Sequence, residues 1–337
     1  MNIGQARLLE WINKWRRLTT LSALKRSHLL ACIVLTISPI TGCSLHSGYW
    51  PSRSSDDPIA KFTCSSTERT TTQQTRTILY DVEGHYNTTE LIARMAGYSK
   101  IDALRLAYFS QAPDDKAFLY SAPWVAVWAL LPRIFFWSYH PNVMNVLHSL
   151  HNGDHAQVIE RRHNLKDEIT FLVRERNKTK NVKDDWKIGF LIHALADSYA
   201  HTYGAMANLH GYNEFIGHAL DYGAQGNKPD EIVANNNYLI YIEYVNALFE
   251  ALVDAKESNG KTKLKDFTET IKYKVEHDRI TEEDFKTFVI NYPVCGIAAE
   301  VTYRMGTSSA ENIIDEWENE ISFGNVNSFL GEVRYRL

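Results

Sequence analysis

Gly189-Phe190-Leu191-Ile192-His193-Ala194-Leu195-Ala196-Asp197-Ser198-Tyr199-Ala200-His201 places three polar side chains, His193, Asp197 and His201, at intervals of four in an apolar run. On a helix these three fan over about 80° of one face and spread along about 12 Å of axis. Two histidines and an aspartate buried without partners would be costly. The stretch therefore predicts either a metal-binding face or a stripe of hydrogen-bonded polar groups on a buried helix. One ion cannot reach both end histidines, because ligand distances are only about 2.0–2.2 Å. Two or three ions in a row could be served, with Asp197 bridging near the middle.

Outward from this segment the pattern stays helical. Thr88 to Ala96 lines up Leu91, Ile92 and Met95 and stops at Gly97; Lys100 to Ser110 resumes with Ile101, Leu104, Ala107 and Tyr108. Gln157 to Arg176, Trp186 to Tyr203, Glu231 to Lys256 and Lys263 to His277 read as helices, with shorter ones at Asp284 to Phe288 and Gly296 to Tyr303. Trp124 to Trp137 is apolar, aromatic and cut by Pro132, which suits core packing or a membrane-facing lip. With no alternating strand series and no repeat, the expectation is an all-α multi-helix bundle over 78–337 around a central His/Asp cleft.

Further candidates lie elsewhere along the chain: the Asp114-Asp115 pair, His148 and His151, and His218 ahead of Pro229-Asp230. His140, His155, His163, His210 and His277 read as surface or incidental. The apolar fraction of 45% across 337 residues allows a sizeable core. The net charge of −4 is unevenly spread. Residues 1–42 hold six of the 36 basic groups and one of the 40 acidic ones, leaving 30 and 39, or −9, for the rest. Such a body gives no electrostatic reason to bind nucleic acid, and none is expected as a partner.

At the start of the chain, Lys25-Arg26 precedes the apolar run Leu29 to Ile37, which breaks at Ser38-Pro39. That order reads as a secretory signal, and the run is short of the roughly 20 residues of a span. Ile40-Thr41-Gly42-Cys43 follows and resembles the bacterial lipoprotein box. The resemblance implies a signal peptide over 1–42, acylation of Cys43, a polar tether over 43–77, and a membrane partner through the acyl chains. Ser44 after the cysteine implies sorting to the outer membrane. An ordinary signal peptide or an apolar anchor is the alternative. Cys64 and Cys295 would then be left as a disulfide pair or as two free thiols.

Several segments together resemble the zinc-dependent phospholipase C superfamily, which includes the single-strand-specific zinc nucleases, and most closely its uncharacterised bacterial hydrolase-like branch. They are Glu83-Gly84-His85-Tyr86, Ala107 to Asp115, the His148 segment, the helix from His193 to His201, and Gly217-His218 with Pro229-Asp230. The likeness covers about 80–232, with C-terminal helices over 233–337 outside it. It implies a helical fold holding one to three Zn2+. Asp115, His148, His193 and Asp197 would hold one ion; Asp115, His201 and His218 a second; His85 with Asp197 a third. His151 is the alternative to His148, and Asp114 to Asp115. Asp115 and Asp114 would also orient the attacking water. The implied activity is phosphoester hydrolysis, with phospholipid-like substrates first.

The chain departs from characterised members in two ways. They complete one metal site with a mature N-terminal Trp, and they carry an acid where this chain has Tyr222. A non-catalytic envelope lipoprotein using the same fold to bind or inhibit a partner is the rival reading, and a single structural zinc a third. Replacing Cys43 with Ser is expected to move the protein from the membrane to the soluble fraction of fractionated cells; continued membrane association would transfer the anchor to the apolar run.

Overall fold

The computed structural model describes residues 83–115, 120–122, 125, 139–213, 231–253, 258–292, 317 and 319–337. Within them a wide helical turn, Glu83–Asn87, leads into α1 (Thr88–Met95), and α2 spans Lys100–Asp115. A second wide turn, Asn142–Leu147, precedes α3 (His155–Thr179) and α4 (Asp185–Ala200). A short hairpin follows, β1 (Thr202–Ala205) with β2 (Asn208–Gly211). Then come α5 (Asn237–Leu252), α6 (Ser258–Tyr273), α7 (Glu282–Asn291) and α8 (Phe323–Arg334). The described chain is thus mostly helical. The signal and tether segments, Cys43, Cys64, Cys295, the 124–137 stretch apart from Val125, Gly296 to Tyr303, His218 and the Asp115 side chain lie outside the described residues. Among the described residues no helix is long and apolar enough to cross a membrane.

α4 is the axis of the bundle. Its apolar residues surround the helix instead of forming one stripe, the pattern of a helix buried on every side. All of its residues except Lys187 are buried. It packs between α2, α3 and α5. The approach to α2 is very close, since a Cβ on Gly189 would stand 2.3 Å from the Cβ of Phe109. Asp185, fully buried at the head of α4, accepts from Arg176 of α3 at 2.8 Å and pairs with Arg105 of α2 at 3.2 Å. Burial raises the Asp185 carboxyl, and the two guanidinium groups oppose that rise.

Helix ends follow local chemistry. Asp154 and Gln157 form a reciprocal capping box at the start of α3, each bond 3.0 Å long. α4 stops at Ala200, three residues before the expected Tyr203, because the chain turns into the hairpin. Gly204 there adopts φ +100°, and Thr202 pairs with Gly211. Four-residue strands are too short for an alternation to register in sequence. α5 begins at Asn237 and not at Glu231, since Asn235 and Asn236 occupy left-handed conformations with φ 52° and 65°.

The described helices of the last hundred residues share the body's core. Val245, Leu248 and Phe249 of α5 and Val326, Phe329 and Leu330 of α8 belong to the same core as Leu191 and Leu195. α8 packs on the wide turn 142–147, where Asn142 Nδ2 donates to Asn327 Oδ1 at 2.9 Å.

Candidate metal centre

Four elements bring donor atoms to the Asp197 face of α4. Asp197 is 2% exposed. Its Oδ1 lies 3.2 Å from His85 Nε2, from the turn before α1. Its Oδ2 lies 3.1 Å from His148 Nδ1, just after the turn 142–147, and 3.3 Å from His193 Nε2, one turn earlier on α4. His201 Nδ1, one turn later, is 3.5 Å away. Asp114, near the end of α2, stands 3.6 Å from His85 Nε2 and 3.9 Å from His193 Nε2. The His85 and His193 rings stack with centroids 4.0 Å apart.

Backbone carbonyls decide which nitrogen of each ring is left for a ligand. A carbonyl only accepts, so the ring nitrogen facing it carries the proton. His193 Nδ1 donates to Ser110 O at 2.9 Å, and His148 Nε2 donates to Tyr120 O at 2.7 Å. His201 Nδ1 donates to His148 O at 2.8 Å. The opposite nitrogens, His193 Nε2 and His148 Nδ1, then meet 3.2 Å apart with Asp197 Oδ2 beside both. Three lone pairs converge in a buried pocket, an arrangement that calls for positive charge at its centre. Anchoring a histidine by its second nitrogen is also how metal-binding imidazoles are oriented.

Separations among the donors fit a small divalent ion. A tetrahedral ion with ligand distances of about 2.0–2.1 Å holds its donors roughly 3.3 Å apart. The observed separations among His148, His193 and Asp197 are 3.1, 3.2 and 3.3 Å. Two triads could each hold a metal ion: His148, His193 and Asp197, all buried, and His85, Asp114 and His193. Because one ring nitrogen serves one ion, the second triad would draw on Asp197 Oδ1 if both filled. Burial opposes charge on Asp197, yet His201 and His193, with hydrogen bonds from His148 and His193 whenever a proton instead of an ion occupies their facing nitrogens, hold its carboxyl well below the usual carboxylate range.

Among the expected ligands, His85, His148, His193 and Asp197 therefore come together; His201 stands beside them, but the nitrogen facing Asp197 is the one that donates to His148 O, and neither triad includes it. His218 and the Asp115 side chain lie outside the described residues. Asp114, the alternative to Asp115, joins the group, with its side chain 32% exposed. His151 does not. Its ring sits against Gly153 and Gly211 at the hairpin, near Arg161 and Arg162. His140, read as surface or incidental, is buried. The anchoring carbonyls of Ser110 and Tyr120 were missed, since a carbonyl has no sequence signature. Comparison with protein-family models, curated proteins and solved structures gave no match to this chain.

His151 yields a pH signature separable from the metal centre. Burial first, then the charges of Arg161 and Arg162, lowers it from 6.5 to about 4. Below about pH 6.5 the unfolded chain binds a proton that the native state refuses, so this residue costs stability as pH falls toward 4. Between pH 7 and 5 the loss is about 2 kcal/mol at most. Urea unfolding with chelator present should show His151→Gln losing less stability over that interval than the parent protein; equal losses would remove His151 from the account.

Proposed function

We propose that this chain is a metal-dependent phosphoester hydrolase, held at the outer membrane through Cys43, with Zn2+ at the Asp197 centre. The observation that carries the reading is the convergence of His148 Nδ1, His193 Nε2 and Asp197 Oδ2 at separations of 3.1–3.3 Å. Nitrogen and carboxylate donors in a compact set suit zinc. An ion bound there supplies Lewis acidity, lowering the pKa of a water to near neutrality and offsetting charge on a phosphoryl oxygen.

The chain's own residues supply the rest. His148 and His193 would hold the ion as neutral rings, each oriented by a backbone carbonyl, and Asp197 would offset part of its charge. His85 and Asp114 extend the donor set on the other side of Asp197, so that a second ion would share that carboxylate. Asp114, whose side chain is partly exposed, would orient a water and take its proton. Phospholipid-like phosphoesters rank first as substrates, because the −9 body disfavours nucleic acid. The deep burial of His148, His193 and Asp197 also supports a second reading, in which that triad holds one structural ion.

Purified without chelators, the wild-type protein should contain one to three zinc ions by elemental analysis and cleave phosphodiester or phospholipid substrates. His193→Ala or Asp197→Ala should remove metal and lower stability by about 3 kcal/mol, the range for opening a buried pair or network. Metal without hydrolysis would favour the structural reading. No metal in the folded wild-type protein would sink both.

A further inference from the structure

The segment that presents His148 is unusual. It leaves the wide turn 142–147, passes through left-handed conformations at Ser149 (φ 50°) and Asn152 (φ 55°), and contains no glycine before Gly153. Non-glycine residues in that region are strained and persist only where surrounding contacts over-determine them. Several contacts do so. Ser149 Oγ donates to Ala194 O at 2.8 Å, on the helix that carries His193. Asn152 N donates to Tyr212 O at 2.9 Å, and Asn142 is tied to Asn327 of α8.

The strongest tie comes from Arg161 of α3. Its Nη1 donates to Asn145 O and its Nη2 to Asn145 Oδ1, both at 2.8 Å. Arg161 is 8% exposed, and no carboxylate among the described residues pairs with it. Burial lowers it to about 10, so it keeps its charge at neutral pH. A buried guanidinium is expensive, and here both of its partners sit on one residue, three before His148. The two-pronged contact fixes Asn145 in position and in orientation, as the planar guanidinium fork allows and a lysine would not.

Resting on the metal-centre reading, we infer that Arg161 is a positioning residue for His148, acting through Asn145 to set the Nδ1 atom that the ion uses. Asn145 and Arg161 touch none of the donor atoms. Their effect passes through the backbone of the 142–148 turn, which two further anchors, Asn327 and Ala194 O, hold at either side.

The test is metal affinity in full-length protein, read by chelator competition for Zn2+ and by the visible spectrum of the Co2+-loaded form. Asn145→Ala is the gentler variant, since it removes the side-chain prong and keeps the carbonyl. Loss of an outer-shell partner weakens metal binding by about 10–100-fold. Arg161→Ala is expected in that range with an altered Co2+ spectrum, Asn145→Ala with a smaller loss, and the double variant close to Arg161→Ala alone. Arg161→Lys should restore little, because it lacks the fork. Should Arg161→Ala fail to fold, Asn145→Ala and Arg161→Lys decide by the same readouts. A lowered melting temperature with unchanged affinity and an unchanged spectrum would overturn the inference and leave the metal centre standing. No metal in the wild-type protein would overturn both.

Discussion

A carboxylate 2% exposed, in the last turn of a helix buried on all sides, is the constraint on which this structure turns. Asp197 cannot reach water, and desolvation disfavours its charge. It is held ionised by imidazoles gathered from the turn before α1, from the 142–148 segment and from both neighbouring turns of α4. Two of them, His148 and His193, can also aim a lone pair at the same point, because their other nitrogens are committed to the carbonyls of Tyr120 and Ser110. Anion and lone pairs together make a site that only a proton or a metal ion can complete. The donor separations match a tetrahedral ion more simply than a set of mutually repelling imidazolium rings.

The rest of the bundle serves to hold that geometry. Gly189 lets α4 approach α2 closely, and the same contact brings Ser110 O within 2.9 Å of His193. The Arg105–Asp185–Arg176 cluster fixes the head of α4 against α2 and α3. α8 backs the turn that delivers His148, which gives a role to the C-terminal part of the chain.

Much of this was legible in the sequence. The four-residue spacing of His193, Asp197 and His201 in an apolar run was enough to predict a buried polar helix face, and most helices followed from periodicity. The hairpin was not legible, because strands of four residues leave no alternation. Nor were the left-handed Asn235-Asn236 start of α5 and the α8 helix beyond the last periodic segment. At the site, residue type identified His148 and Asp114 as candidates, and only the family resemblance pointed to His85; neither showed their arrangement. The choice of His148 over His151 rests on which side of the strained turn each ring leaves, a matter of backbone conformation. The carbonyls of Ser110 and Tyr120, which select the nitrogens, belong to side chains that say nothing about them.

The most direct test of the central claim is a crystal structure of the protein equilibrated with zinc, with anomalous data collected on both sides of the zinc edge. The account expects a peak within about 2.0–2.2 Å of His148 Nδ1, His193 Nε2 and an Asp197 oxygen. An ordered centre without such a peak, its imidazoles closed on Asp197 by protons alone, would contradict it.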